Sequence, residues 1–265
     1  MSRLDKYLFE QHLSPSREKA KDAVLQGMVT VNGDIVTKPS YLVNDHDQVE
    51  VIDIFNRYVS RGGLKLEKAI VDFGLDFKDK KVLDVGASTG GFTDCALKHG
   101  ASHCYCVDVG SEQLHPLLRN NPKVTYQEKK DFRDLTPEEV GNLLFDFIVV
   151  DASFISLTYL LPYFEPFLSP DGCLLLLIKP QFEAGQSFLN KRGVVSHEKG
   201  YQYAIQKVVK NALTHHYHLN ALSISTLFEQ NKNIEFLALF SRNKNSFILN
   251  EKQLMINIKN TKKTI

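Results

Sequence analysis

The chain has 265 residues, 43% hydrophobic and 10% aromatic, with a formal net charge of +1. That length suits one large domain, or a medium domain with a small partner, and the apolar content supports a sizeable core. No apolar run reaches the ~18 residues that span a membrane, and the near-neutral balance excludes a uniformly basic nucleic-acid binder, so charge is read locally.

Residues 1–52 read as a small α+β domain of two helices followed by short strands. Its start, Met1 to Lys6, is charged and helical with no signal-peptide apolar core, which predicts a cytoplasmic protein. Leu4, Tyr7 and Leu8 form one helical stripe; Ala20, Val24 and Leu25 form another. Ser14 or Ser16 is the expected N-cap of the second helix. Val29-Thr30-Val31, the Asn32-Gly33 turn and Ile35-Val36 predict a hairpin, and Val49, Val51 and Ile52 a last strand. This segment resembles the alpha-L RNA-binding motif of a small-subunit ribosomal protein, many pseudouridine synthases and some tRNA synthetases. The resemblance rests on Arg3-Leu4-Asp5, Leu8, Ser16-Arg17, Ala20, Val24, Gly27, Val29 to Gly33 and Lys38-Pro39. It implies an RNA-facing patch of Arg3, Arg17, Lys21 and Lys38, with Arg61 further along. Such a patch neutralises phosphates, giving affinity and salt dependence but little sequence reading. Glu10, Asp34 and Asp47 offset it, so it must be one-sided.

A connector over 53–63 leads into a helical pattern carried by Leu66, Ala69, Ile70 and Phe73. Strands then alternate with helices: strands at 82–85, 104–107, 124–127, 146–150 and 173–178, helices from 92 and near 113–119, 136–144 and 157–167. A long helix over 198–215 precedes strands near 220–227 and 234–240, too close together for a helical crossover. The expectation for 64–242 is a Rossmann-like α/β domain: a mostly parallel seven-stranded sheet with an antiparallel edge hairpin. Cys95, Cys104, Cys106 and Cys173 have no metal or disulfide spacing, and Cys104 and Cys106 are expected as buried thiols. His215, His216 and His218 lack a cysteine or carboxylate neighbour, so no metal is expected. Residues 243–265 read as a polar, lysine- and asparagine-rich tail, solvated and disordered.

The most telling segment runs from Lys81 to Asp94, an apolar strand entering a glycine turn and then a helix. Its spacing, Gly86-x-x-x-Gly90-Gly91, is not the fingerprint that seats a pyrophosphate. It suits a ligand without phosphate, and S-adenosylmethionine is the obvious one. Gly86, Ser88, Gly90 and Gly91 are expected along the methionine end, with Phe92 and Thr93 where the helix begins. Asp108 closes the next strand, where a ribose-hydroxyl acceptor belongs, with Val109 against the adenine and Asp131-Phe132 near its amino edge.

Asp151 and Lys179 each follow a strongly apolar strand, which places them at the same carboxyl edge. An aspartate there also serves as a helix N-cap; a lysine there needs a counter-charge. With Lys65 and Glu235 they make Lys–Asp–Lys–Glu in chain order. That order, with Ser60-Arg61-Gly62-Gly63-x-Lys65, Asp84-Val85-Gly86-x-Ser88-x-Gly90-Gly91-Phe92-Thr93, Val107-Asp108-Val109-Gly110, Asp151-x-Ser153-Phe154, Lys179-Pro180-Gln181-Phe182-Glu183 and Asn233-x-Glu235, resembles the TlyA family. Its members are ribosomal RNA cytidine 2′-O-methyltransferases, often named haemolysins and related to the heat-shock ribose methyltransferases.

The resemblance implies an enzyme that methylates a cytidine ribose, with Lys179 receiving or polarising the hydroxyl proton. Asp151 and Glu235 would orient it, and Lys65 would complete the tetrad. Asp131 stands where the family more often has asparagine. Glu183 and Arg192 to Val195 are substrate-loop candidates. The expected partner is ribosomal RNA or a ribosomal subunit, with no stable membrane association and a monomeric protein. An inactive RNA-binding protein is the alternative, which an intact tetrad and glycine turn oppose. A membrane-acting haemolysin lacks a basic amphipathic helix, and a dehydrogenase lacks the glycine spacing.

Overall fold

The computed structural model describes residues 1–14, 16–25, 28–44, 46–51, 57–225 and 233–264. They divide into a small unit over Met1–Arg57 and a larger one that starts at Tyr58 and includes the C-terminus.

In the small unit, β1 (Ser2–Arg3) runs into α1 (Leu4–Glu10), and α2 (Arg17–Leu25) follows. The stripes read from the sequence pack these helices: Leu4, Leu8, Ala20 and Val24 are fully buried. Ser16 is the cap, its Oγ accepting the Lys19 N–H at 3.1 Å. Then come β2 (Val29–Val31), β3 (Asp34–Ile35), β4 (Leu42–Val43) and β5 (Val49–Val51). β1 pairs with β4, and an antiparallel sheet has the order β3-β2-β5. Asn32 and Gly33 both take positive φ, 55° and 86°, as a two-residue hairpin turn requires. Gly27, Ile52 and connector residues 53–56 lie outside the described residues.

The larger unit contains α3 (Gly62–Phe73), β6 (Lys81–Val85), α4 (Gly91–Lys98), β7 (His103–Val107), α5 (Pro116–Arg119), β8 (Val124–Gln127) and β9 (Phe145–Val150). β10 (Leu168–Ile178), α6 (Pro180–Glu183), α7 (Glu198–Thr214), β11 (His218–Ile224), β12 (Phe236–Ser241) and α8 (Glu251–Thr264) complete it. The seven strands lie in the order β11-β12-β10-β9-β6-β7-β8. β10, β9, β6, β7 and β8 are parallel, and β12 is antiparallel to both its neighbours, so the edge hairpin is present as expected. Tyr58 belongs here: it is buried, and the Val59 N–H donates to Asp94 Oδ2 at 2.8 Å.

Three expectations fail locally. No helix forms over 136–144; the chain makes turns, with Gly141 and Asn142 both at positive φ. Residues 157–167 form three separate 3-10 turns, because Pro162 and Pro166 each remove a donor and obstruct a continuous α-helix. The polar tail is not solvated coil: α8 buries Leu254 and Ile258, and Glu251 accepts from Gln202 and Gln206 of α7. No helix of the described residues is long and apolar enough to cross a membrane.

Candidate active site

Val85 pairs in register with Val107 and with Val150, so the turns after β6, β7 and β9 open on one edge of the sheet. Ligands of doubly wound folds bind at that edge. A cleft of about 630 Å³ lies there, lined by Gly86, Ser88, Asp108, Val109, Asp131 and Phe132 together with Asp151, Ser153 and Phe154. Gly86 has φ +78°, and a Cβ on it would stand 3.1 Å from the Ala152 Cα; glycine lets β6 turn this close to the loop after β9. Asp108 is held by two backbone donors, Ser88 N–H to Oδ2 and Gly110 N–H to Oδ1, each at 2.7 Å. Its carboxylate keeps lone pairs for ligand hydroxyls, and exposed Val109 offers an apolar face beside it. This acceptor with an apolar face beside it fits the ribose and base of S-adenosylmethionine.

The rest of the glycine turn serves packing rather than the cleft wall. Gly90 (φ +89°) lies against Leu114 and Leu118, where a Cβ would overlap both, and Gly91 lies against Ser60 and Gly63. Phe92 and Thr93 are buried. Thr93 donates to Asp84 Oδ2 through its N–H at 3.1 Å and its Oγ1 at 2.7 Å. Asp84 Oδ1 is buried without a hydrogen-bond partner, and burial pushes this carboxyl up to about 7 despite the Thr93 bonds. Asp131 lines the cleft but also caps the turn over Phe132–Asp134. Its Oδ1 accepts from Arg133 N at 2.9 Å and Nε at 3.0 Å, and those bonds hold it below the usual carboxylate range. Phe132 is a core residue, packed on Phe164 and Phe167.

At the same edge the four charged candidates converge from four separate segments. Lys65 sits in the first turn of α3, Asp151 directly after β9, Lys179 between β10 and α6, and Glu235 just before β12. Lys65 Nζ lies 2.8 Å from Glu235 Oε2 and 3.5 Å from Asp151 Oδ2. Lys179 Nζ lies 2.6 Å from Asp151 Oδ1. That last contact is an ion pair rather than a directed hydrogen bond, since Oδ1 accepts none; the directed bond of Lys179 goes to Ser153 Oγ at 2.8 Å. Lys179 is the most enclosed of the four, its side chain 9% exposed. For Lys65, burial favours the neutral amine, but the Asp151 and Glu235 charges outweigh it and leave the pKa raised, so Lys65 is an ammonium.

Sequence reasoning assigned no role to Ser153 or Phe154. Phe154 is 92% exposed at φ +65°, tilted against Phe182 with ring centroids 5.5 Å apart. A bulky residue held at positive φ is strained backbone of the kind that clusters at functional sites. Glu183, a substrate-loop candidate, is instead buried. It accepts from Ser156 Oγ at 2.6 Å and Leu157 N–H at 2.7 Å, which ties α6 to the loop after β9. Glu128 accepts the N–H groups of Glu112, Gln113 and Leu114, shaping the loop beyond Asp108.

In the small unit, Arg3 and Arg17 both pair with buried Asp5, at 3.0 and 3.6 Å, while their own side chains stay about half exposed. One enclosed carboxylate thus gathers two guanidinium groups at the surface. Lys21 and Lys38 are exposed and make no ion pair among the described residues, and Arg61 is exposed next to α3.

Residues 58–242 match the FtsJ-like methyltransferase family, and residues 2–49 match the S4 domain. The chain is 41% identical to Hemolysin A of Brachyspira hyodysenteriae, covering 90% of this chain and 99% of that one. It is 36% identical to the 16S/23S rRNA (cytidine-2′-O)-methyltransferase TlyA of Mycobacterium tuberculosis, over 89% of this chain and 88% of that one. A solved structure assigned as a hemolysin of Streptococcus thermophilus superposes with a TM-score of 0.77 at 35% identity, covering 99% and 97% of the two chains.

Proposed function

The chain belongs to the FtsJ-like methyltransferase family, and we propose that it uses S-adenosylmethionine to methylate the 2′-oxygen of a cytidine in ribosomal RNA. The observation that carries this reading is the convergence of Lys65, Asp151, Lys179 and Glu235 within ion-pair distance, with Asp151 also in the cleft wall. The relative named for cytidine 2′-O-methylation of ribosomal RNA supplies the target class.

When bound, the cofactor supplies an electrophilic methyl group on a sulfonium. The chain's part is mostly alignment, and holding two reactants in line removes roughly 7–11 kcal/mol of barrier. Asp108 would accept hydrogen bonds from the cofactor's ribose hydroxyls, Val109 would cover its base, and Gly86 and Ser88 would leave room for its methionine end. Lys179 Nζ polarises the 2′-hydroxyl. As the hydroxyl oxygen bonds the methyl carbon, the methyl–sulfur bond breaks, the sulfur keeps the electron pair, and the hydroxyl proton passes to the Asp151 carboxylate beside Lys179. Ser153 and Asp151 hold Lys179 Nζ in place, and Lys65 bridges Asp151 and Glu235. Phe154 offers a ring beside the tetrad on which a base drawn out of its stack can rest. In the small unit Arg3, Arg17, Lys21 and Lys38 hold phosphates, and Arg61 adds a cation near α3.

Calorimetry with S-adenosylmethionine tests the cofactor half. Asp108→Ala removes the ribose acceptor and is expected to weaken binding roughly 10- to 100-fold, the worth of hydrogen bonds to a charged group. Undiminished affinity would place the cofactor elsewhere.

A further inference from the structure

We propose that loop 190–194 is a phosphate clamp for the RNA strand that carries the target ribose, an inference that rests on the methyltransferase reading above. The loop is rigid by construction. Asn190 N–H donates to the Val194 carbonyl at 2.8 Å, and Gly193 N–H to the Asn190 carbonyl at 2.9 Å. Asn190 Oδ1 accepts the N–H groups of Arg192 at 2.8 Å and Val194 at 3.0 Å. Leu189 bridges to Val195 across its base.

A second asparagine fastens this loop to the catalytic segment. Asn233 Oδ1 accepts the Val195 N–H at 2.8 Å, and its Nδ2 donates to the Gly193 carbonyl at 3.0 Å. Asn233 stands two residues before Glu235, about 7 Å of extended chain. The loop is therefore fastened, through Asn233, to the stretch of backbone that carries Glu235.

Lys191 and Arg192 project from this frame, both exposed and without an ion pair or side-chain hydrogen bond among the described residues. With Asn190 and Val194 they line a shallow cleft of about 320 Å³. Charge accounting explains why a clamp is needed there. The tetrad holds two cations and two carboxylates, so it has no net charge to offer the phosphates flanking a ribose. Among the described residues, three cations near the main cleft are already paired: Lys130 with Glu139, Arg133 with Asp131 and Lys207 with Glu183. Lys191 and Arg192 are uncommitted, and a lysine beside an arginine supplies a point charge and a planar fork for phosphate oxygens.

The test uses full-length protein carrying Lys191→Ala with Arg192→Ala, and ribosomal subunits from cells lacking the protein. The clamp predicts that KM for the subunits rises about tenfold and that the slope of log affinity against log salt shrinks by about 1 to 2. Turnover at saturating subunits and affinity for S-adenosylmethionine stay near wild type. The paired exchange Lys191→Arg with Arg192→Lys restores most of the KM, because the charge returns. An unchanged KM and salt slope would overturn the proposal, as would loss of turnover with KM intact. A wild-type protein that binds subunits but methylates none defeats the enzymatic reading instead, while the salt slope still decides the clamp.

Discussion

Asp84 carries a buried carboxyl with one oxygen bonded to Thr93 and the other without a partner, and its pKa is lifted from 3.8 to about 7. The neutral acid is the form the fold favours. Its stabilisation is complete below the unfolded value near 4 and is lost as pH rises through about 7. This group alone is expected to lower unfolding free energy by up to about 4 kcal/mol across that window. Urea unfolding at stepped pH should show that slope in the wild type and a flatter one in Asp84→Asn; identical slopes would remove Asp84 as its source. Phe154→Ala is expected to raise KM for RNA while leaving cofactor affinity alone, and steady-state kinetics with an unchanged KM would take the ring out of base binding. Lys65 and Glu235 joined the tetrad only through the family resemblance, whereas Lys179 was legible because a lysine after a buried strand demands a counter-charge. Phe154 was not, since exposure and positive φ leave no trace in a single sequence.

Among the elements, the strands were the most legible, because β6, β9 and β10 are runs of valine, isoleucine and leucine bounded by polar turns. Helical periodicity misled over 157–167, where Pro162 and Pro166 were visible but the apolar spacing outweighed them. The C-terminal helix was hidden by composition. Lysine and asparagine read as tail, although Asn250 caps the helix by accepting the Gln253 N–H at 3.0 Å, and Leu254 and Ile258 stand at helical spacing. That buried pair makes α8 part of the larger unit's core. Ile258→Ala is expected to cost about 2 to 4 kcal/mol, read as a lowered thermal midpoint. A midpoint equal to wild type would mean that α8 adds nothing to stability.

For the whole molecule, two units divide the work. A small S4-type unit gathers Arg3 and Arg17 around Asp5, and a seven-stranded methyltransferase unit brings the cleft proposed for the cofactor and the four charged residues to one sheet edge. The two-part organisation was legible in the change from short hairpin strands to alternating strands and helices. The division of labour inside the glycine turn was not. Gly90 and Gly91 match a binding motif in sequence, yet their need for glycine comes from Leu118 and Gly63, which only the folded chain brings near. The decisive measurement is incubation of the full-length protein with tritiated S-adenosylmethionine and ribosomal subunits from cells lacking it, followed by mapping of labelled ribose. The predicted result is label on a cytidine 2′-oxygen, reduced about 10²- to 10⁴-fold by Lys179→Ala in a variant that still binds cofactor and subunits. Undiminished label with Lys179→Ala, or none on ribosomal RNA while cofactor is bound, would contradict it.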